Sequence, residues 1–223
     1  MTEIQDNLLR IKSQIPSGVS LVAVSKFHPV EAIRQCYDAG QRIFGESRVQ
    51  ELVQKERLLP NDINWHFIGH LQTNKVRQLI GKTALIESVD SERLLRLIDS
   101  ESEKAGVVSR VLLQVHVAQE ETKFGFYPEE LYDFFRNRGF ESLKATHICG
   151  IMGMASNTDN LDRVREDFRK ISEIFRTVSN DESLGLRDFD ILSMGMSGDW
   201  NIAVEEGSDM VRIGSAIFGE RQY

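Results

Sequence analysis

The feature that most constrains the fold of this chain is the alternation of short apolar runs with segments of helical spacing. Strand-like runs recur along the chain at residues 20–25, 41–44, 64–68, 84–88, 110–117, 146–151, 189–193 and 210–213. Between them, apolar residues return every three or four positions, as in Leu161, Val164, Phe168 and Ile171. That spacing is typical of one face of an amphipathic helix. The order is therefore strand then helix throughout.

Eight such alternations in 223 residues predict a single (β/α)8 barrel of the TIM type, an α/β fold. Each strand of such a barrel is buried on both faces, which explains why the runs are apolar throughout. An extra N-terminal helix, with Ile4, Leu8 and Ile11 on one face, precedes the first strand. A doubly wound open sheet is the alternative with the same order of elements. Because no Pro-, Gly- or Ser-rich linker divides the chain, we expect residues 1–223 to form one domain.

Composition limits the partners and the compartment. The net charge is −7, and basic residues are interspersed with acidic ones, which argues against nucleic acid. No apolar run reaches the roughly 18 residues of a membrane span, and MTEIQDNLLR lacks the regions of a signal peptide. Cys36 and Cys149 fit no metal-ligand spacing and are expected to be buried, reduced thiols. We therefore expect a cytoplasmic protein and, without a long apolar edge, a monomer.

A lysine stands at the end of the first predicted strand, in LVAVSKFHP, residues 21–29. The functional groups of a (β/α)8 barrel lie at the C-terminal ends of its strands. An amine at the rim of an apolar barrel loses hydration, and this favours its neutral, nucleophilic form. Lys26 is therefore a candidate for Schiff-base chemistry with a carbonyl compound. The alternative is a lysine that extends its charge from the strand end into solvent.

Two loops late in the chain carry small and hydroxyl-bearing residues at strand ends. Ser197 and Gly198 follow the seventh strand, and Gly214 and Ser215 follow the eighth. A phosphate site built from these two loops is a recurrent feature of the barrel, and unpaired N–H groups at a helix start bind anions. The sequence therefore predicts an anion site here. For Ser197 alone, an ordinary helix N-cap is the alternative.

Arg212 lies inside the last strand, between Val211 and Ile213, so its guanidinium is expected to point into the barrel and to need a buried partner. Pyridoxal 5′-phosphate (PLP) has an aldehyde, a phosphate and a pyridine nitrogen. These groups match an amine, an anion site and an arginine between them. Arginine keeps its proton at neutral pH, so it would leave the pyridine nitrogen unprotonated and the ring a weak electron sink. This favours holding the cofactor over transamination. Met196, beside Ser197, is expected to pack on the ring or to fill the core.

Seven segments resemble, in order and spacing, the motifs of the pyridoxal phosphate homeostasis protein family. They are AVSKFHP, IFGESRVQE, WHFIGHLQTNK, TKFGF, GIMGM, LSMGMSGDW and VRIGSAIFG, between residues 21 and 219. The resemblance implies a barrel similar to the N-terminal domain of alanine racemase, with Lys26 joined to PLP as a Schiff base. It implies that Arg212 faces the pyridine nitrogen and that Ser197, Gly214 and Ser215 hold the phosphate. It also implies a role in vitamin B6 homeostasis without an established catalytic reaction, with PLP-dependent apo-enzymes as candidate recipients.

Two positions depart from the family pattern. Ser47 follows FGE where the family usually has Asn, and it is kept as a cofactor-binding candidate with a shorter reach. Glu87 stands where the family often has His before SVD, and a carboxylate there is expected to alter the electrostatics of the rim.

Other polar residues near predicted strand ends have competing interpretations. His66 and His70 are separated by a strand-to-loop change, so a zinc pair is not expected. Hydrogen-bonded packing is the prediction for His66 and a place at the rim for His70. Lys123 is a second amine after the fifth strand, and Glu120 and Glu121 form an acidic pair. For these three residues a solvated loop is favoured.

Three functions use this set of residues. A non-catalytic PLP carrier is the prediction, and a PLP-dependent amino-acid racemase is the alternative. A racemase of the alanine racemase type needs a second base, a tyrosine from a further domain across a dimer interface. The tyrosines of this chain lie in predicted helices, a loop or the terminus, at Tyr37, Tyr127, Tyr132 and Tyr223. A Schiff-base aldolase would use the same lysine and phosphate loops, but such barrels generally carry the lysine on a later strand.

Overall fold

The computed structural model of the chain describes residues 1–117 and 124–219. Within these ranges eight strands form a closed barrel in chain order, and the last strand pairs in parallel with the first. The strands are β1 (Ser20–Val24), β2 (Ile43–Glu46), β3 (Asn64–Phe67), β4 (Leu85–Val89), β5 (Ser109–Val115), β6 (Thr146–Gly153), β7 (Ile191–Ser193) and β8 (Met210–Ile213). The prediction of a (β/α)8 barrel is confirmed, and the open sheet is wrong.

Helices alternate with the strands and cover the outside of the barrel. They are α1 (Glu3–Gln14), α2 (Val30–Asp38), α3 (Val49–Leu58), α4 (Val76–Leu79), α5 (Glu92–Ala105), α6 (Pro128–Arg136), α7 (Leu161–Ser179), α8 (Trp200–Glu205) and α9 (Ser215–Phe218). The extra N-terminal helix is confirmed as α1, which begins at a capping box formed by Thr2 and buries Leu8 and Ile11. None of the helices in the described ranges has both the length and the apolarity of a membrane crossing.

The apolar residues divide into an interior cluster and a sheet–helix layer. Successive residues of a strand face opposite sides, so Val22 and Ala23 belong to different clusters. The buried members of the Val22 cluster come from strands alone, which places them inside the barrel: Val22, Leu85, Leu112, Cys149, Met152 and Met210. The Ala23 cluster includes helix residues such as Leu95 and Phe168 and lies between the barrel and the helices.

Most strand boundaries agree with the predicted runs to within two or three residues, and the differences matter near the rim. The second strand was predicted at 41–44, whereas β2 is Ile43–Glu46. Gly45 pairs with Val24 and Glu46 pairs with Phe67, so both residues are inside the sheet instead of following it. Glycine and glutamate have low strand propensity, and the pairing of Gly45 with β1 and β3 and of Glu46 with β3 overrides it here.

Both cysteines are buried and free, as predicted. Burial raises the pKa of the Cys36 thiol to about 12, although Lys12 opposes the shift. Burial also raises the pKa of Cys149. Such thiols stay protonated and unreactive at neutral pH, which is typical of structural cysteines.

Candidate functional site

All seven residues predicted to bind the cofactor lie at or just past the C-terminal ends of four neighbouring strands. They are Lys26 after β1, Ser47 after β2, Met196 and Ser197 after β7, and Arg212, Gly214 and Ser215 in or after β8. These strands follow one another around the barrel in the order β7, β8, β1, β2. Residues far apart in the sequence therefore share one arc of the barrel mouth, which we call the β7–β2 arc.

The loops after β7 and β8 are joined to each other and to the end of β1. Gly214 donates its backbone N–H to Ser197 Oγ at 3.1 Å. A Cβ atom on Gly214 would lie 3.2 Å from the carbonyl oxygen of Val24, so glycine lets this loop approach the strand that leads to Lys26. The N-cap of α8 is Asp199. The N-cap alternative for Ser197 is therefore wrong, and its hydroxyl contacts the loop after β8 instead.

The groups at this junction fit a phosphate. Gly198 is exposed, and a Cβ atom built on it would meet no described atom within 4 Å. Ser215 is exposed beside Gly214, and hydroxyl and backbone N–H groups are the neutral donors that phosphates accept from. The nearby Asp199 carboxylate accepts a hydrogen bond from the N–H of Met196 at 2.6 Å. Met196 is 40% exposed, so core filling is wrong for this residue.

Arg212 points into the barrel and has buried partners, as predicted. It is 4% exposed. Its Nη1 donates to Ser193 Oγ at 2.5 Å, and its Nη2 donates to the carbonyl oxygen of Gly153 at 2.9 Å. Its Nη1 also lies 3.8 Å from Glu87 Oε2. Burial lowers the pKa of Arg212, and the Glu87 carboxylate opposes the shift. The guanidinium is thereby fixed in orientation directly beneath the rim.

Glu87 belongs to the same buried network, which we call the interior network. His66 Nδ1 lies 2.7 Å from Glu87 Oε1, and Ser193 Oγ donates to Glu87 Oε2 at 2.7 Å. Burial tends to raise the pKa of Glu87, but the bonds from His66 and the charge of Arg212 outweigh it and hold the pKa below its ordinary value. The expectation of a carboxylate at the rim is wrong, because Glu87 is the middle residue of β4 and is fully buried.

The two histidines have separate roles. The predicted hydrogen-bonded packing of His66 is confirmed by its contact with Glu87. His70 is exposed after β3, and its Nδ1 lies 3.0 Å from Asp90 Oδ2. Its ring stacks on Phe124 with centroids 3.7 Å apart. In residues 1–117 and 124–219 no group of three or more His, Cys, Asp or Glu side chains could hold a metal ion.

Sequence reasoning missed a second charged cluster, on the outer face of β1 and β2. Lys55 Nζ donates to Glu46 Oε1 at 2.8 Å and to Glu51 Oε2 at 3.1 Å, and we call these three residues the outer cluster. Burial raises the pKa of Glu46 to about 7, although Lys55 and Ser25 oppose the shift. A signal was present in the sequence, because Lys55 has helical spacing with the apolar stripe of α3. A charged residue at such a position requires a buried partner.

The opposite side of the mouth has a different character. A cleft of about 770 Å³ opens over the loops after β3, β4 and β5, where His70, Asp90, Phe124 and Tyr127 contribute to its walls. β5 stands across the closed barrel from β1, so this cleft is not part of the β7–β2 arc. Lys123, Glu120 and Glu121 lie outside the described residues.

Comparison with known proteins agrees with this class of fold. The family model of the alanine racemase N-terminal domain matches residues 1–222. An alanine racemase from Clostridium difficile has a TM-score of 0.78 at 15% identity, over 99% of this chain and 57% of that one. At that identity the likeness shows the fold alone. The chain is thus a barrel of the alanine racemase N-terminal type.

Closer relatives define the family. A pyridoxal phosphate homeostasis protein of Aquifex aeolicus is 42% identical over 204 residues, 91% of this chain and 87% of the relative. The structure of PipY from Synechococcus elongatus with PLP bound has a TM-score of 0.88 at 35% identity, over 97% of this chain and 100% of that one. The chain belongs to the pyridoxal phosphate homeostasis protein family, as the motifs predicted.

Proposed function

We propose that this protein binds PLP as a Schiff base on Lys26 and acts in intracellular PLP homeostasis without catalysing a reaction of its own. The observation that carries the proposal is the junction of the loops after β7 and β8 with the end of β1. Ser197 is bonded to Gly214, and Gly214 packs on Val24, two residues before Lys26. The name of the Aquifex aeolicus relative and the PLP bound to PipY support the identity of the cofactor.

Each residue of the β7–β2 arc has a defined part in this proposal. Lys26 would hold PLP through its amine nitrogen, a nucleophile toward the aldehyde that the cofactor would supply. Ser197, Gly214 and Ser215 bind the phosphate through hydroxyl and N–H donors. Arg212, fixed by the carbonyl oxygen of Gly153, faces the pyridine nitrogen and keeps its own proton. When bound, PLP supplies an aldehyde and a ring that accepts electron density.

Two more residues border the ring in the proposed site. Ser47 is half-buried after β2, where its carbonyl oxygen packs so closely on Gly69 that a Cβ there would lie 2.3 Å away. Met196 is exposed after β7. We assign Ser47 a short polar contact and Met196 a soft apolar one, as their side chains allow.

A carrier is favoured over a racemase by the positions of the described tyrosines. The hydroxyl of Tyr37, in α2, donates to Asp62 at 2.8 Å. Tyr127 precedes α6 on the far side of the mouth, and Tyr132 is within α6. A racemase needs a second base on the face of the cofactor opposite the lysine, and these three residues are not in the β7–β2 arc. PLP-dependent apo-enzymes are the proposed recipients of the cofactor.

We extend the proposal to the whole chain as one PLP-binding domain that is monomeric in the cytoplasm. Two buried free thiols, Cys36 and Cys149, suit a reducing compartment, where disulfides are rare. A mass of 25.4 kDa by light scattering would support the monomer, and twice that mass would contradict it.

The test combines spectroscopy with transfer. Purified protein incubated with PLP should gain the visible absorbance of a Schiff base. Lys26→Ala should lack it, whereas Lys75→Ala, which changes a half-buried lysine after β3, should keep it. The loaded protein should activate an apo-aminotransferase and should leave L-alanine optically active. A colourless wild-type protein would contradict PLP binding, and loss of optical activity would favour the racemase.

A further inference from the structure

The two peptide groups that flank Lys26 are held by side chains of the same helix. The carbonyl oxygen of Ser25 accepts a hydrogen bond from Lys55 Nζ at 2.9 Å. The N–H of Phe27 donates to Glu51 Oε2 at 2.9 Å. Lys55 and Glu51 are one turn apart on α3 and form an ion pair of 3.1 Å. The backbone on each side of Lys26 is therefore fixed to the outer cluster.

The outer cluster is itself anchored in the sheet. Lys55 Nζ donates to Glu46 Oε1 at 2.8 Å, and Ser25 Oγ donates to the same oxygen at 2.7 Å. The side chains of Glu46 and Lys55 are 0% and 8% exposed. Because β1 and β2 are paired, Glu46 is held in the sheet next to β1. Its bond to Lys55 therefore keeps the lysine amine beside the end of β1. The cluster thus joins β2 and α3 to the segment that carries Lys26.

This segment has a backbone conformation that needs such support. Phe27 has a φ of +68°, in the left-handed region that bulky side chains seldom adopt. Its ring lies under the guanidinium of Arg48 at 4.5 Å, and the next residue, His28, stacks on Phe218 with centroids 4.8 Å apart. Strained residues persist where surrounding contacts determine them, and they concentrate at functional sites.

The buried charges of the outer cluster are not needed to stabilise the interface between the sheet and α3. Apolar side chains of similar volume would fill the same space without loss of hydration, and such replacements are often neutral or stabilising. The contacts to Ser25 and Phe27, by contrast, need hydrogen-bonding groups. We propose that Lys55 and Glu51 are positioning residues that hold Lys26 at the angle and distance required for bonding to the PLP aldehyde.

This inference rests on the proposed function and makes it more specific. If the phosphate is fixed by Ser197 and Gly214, the amine of Lys26 must meet the aldehyde within a narrow range of positions. Loss of the outer cluster would leave the phosphate-binding loops in place, but the Lys26 amine would no longer be held at a fixed position relative to the aldehyde. Binding of a ligand with an aldehyde would then weaken, while binding of the same ring and phosphate without the aldehyde would not.

The experiment compares PLP with pyridoxine 5′-phosphate, which has a hydroxymethyl group in place of the aldehyde. Both ligands are titrated into wild-type protein, Lys55→Met, Glu51→Leu and Glu51→Gln. Glu56→Leu is the matched control, because Glu56 is on the same helix and pairs with Lys82 at 3.3 Å, away from the Lys26 segment. Lys55→Met and Glu51→Leu should weaken PLP binding by about tenfold, since each removes a charge-assisted hydrogen bond. Their affinity for pyridoxine 5′-phosphate should change by less than about twofold, within the range of an unaffected site.

The remaining variants separate positioning from general damage to the fold. Glu51→Gln retains an oxygen for the Phe27 N–H and should recover most of the PLP affinity, and Glu56→Leu should match the wild type. Equal losses for both ligands, or unchanged PLP binding in Glu51→Leu, would overturn the positioning role. Glu51 is 22% exposed, so its variants give the result even if the more buried Lys55→Met does not fold. A wild-type protein that forms no Schiff base would instead overturn the proposed function, and the positioning role with it.

Discussion

Two buried carboxyl groups in this protein have pKa values that are shifted in opposite directions. Glu87 and Glu46 are each fully buried on neighbouring parts of the same barrel, and each contacts a basic side chain. The pKa of Glu87 lies below its ordinary value, whereas the pKa of Glu46 is raised to about 7. Burial alone therefore does not decide the charge of a carboxyl group in this fold.

The difference lies in the donors around each group. Both oxygens of Glu87 have one, His66 for Oε1 and Ser193 for Oε2, with the charge of Arg212 close by. In Glu46, Lys55 and Ser25 share Oε1, and Oε2 has no hydrogen-bond partner among the described residues. A carboxylate with donors on both oxygens stays ionised, and one with a bare oxygen takes up a proton more readily. The interior network is thus a fixed charge, and the outer cluster is a titratable one.

The largest expected effect comes from removal of each carboxylate in turn. Glu87→Leu leaves the Arg212 guanidinium, which does not lose its proton, without its carboxylate partner and should lower the free energy of unfolding by about 3–5 kcal/mol. Glu46→Leu leaves Lys55 paired with Glu51 and should lower it by only about 1–2 kcal/mol. Urea unfolding at pH 7 measures both. Equal losses would show that the two clusters do not differ in kind.

The stability of the protein should also depend on pH through Glu46. The folded-state pKa of Glu46, about 7, lies above its ordinary value of 4.5, so its contribution to stability is full below pH 4.5 and is lost as the pH rises through 7. The loss should approach about 3 kcal/mol, at about 1.4 kcal/mol for each unit of pKa difference. The charged groups that face Glu46 are Lys55 and Glu51, both on α3.

Glu46→Gln provides the matched control for this pH dependence. The free energies of unfolding of the two proteins should be similar near pH 4.5 and should diverge towards pH 7, because only the wild type ionises at this position and loses stability. Glu87 behaves in the opposite sense: its contribution is present above pH 4.5 and is lost as the pH falls below it, because its pKa is depressed. Parallel curves for the wild type and Glu46→Gln would contradict the titratable cluster.

The smallest expected effect is in the serines that donate to each carboxylate. Ser193→Ala removes a donor to Glu87 and an acceptor for Arg212, and it should lower the free energy of unfolding by about 2 kcal/mol. Ser25→Ala removes one donor to Glu46, and the loss should be about 1 kcal/mol. Thermal unfolding resolves this difference. A larger loss for Ser25→Ala than for Ser193→Ala would contradict the conclusion that Glu87 is the more strongly bonded carboxylate.

The sequence predicted the barrel and much of the arc because those signals are local. Alternating apolar runs give the order of elements, and Val211 and Ile213 on either side of Arg212 indicate a side chain inside the barrel. A lysine after an apolar strand and a serine between the seventh strand and a helix likewise indicated Lys26 and Ser197, and the resemblance to the family implied the same roles.

Local sequence patterns could not show which residues pair with the buried charged side chains. Ser193 and Glu87 are 106 positions apart, and only closure of the barrel brings them into contact. Glu46 lies beyond the run predicted at residues 41–44, because glutamate has low strand propensity, although pairing with Phe67 of β3 includes it in β2. Lys55 could have been recognised, because a lysine on an apolar helical stripe implies a buried partner.

The most direct test of the account is the identity of the lysine that bonds to PLP. Protein loaded with PLP is reduced with borohydride, which converts the Schiff base to a stable secondary amine, and the modified peptide is found by mass spectrometry. The account predicts one pyridoxyl group on Lys26. A pyridoxyl group on Lys75 or Lys123, with Lys26 unmodified, would contradict it.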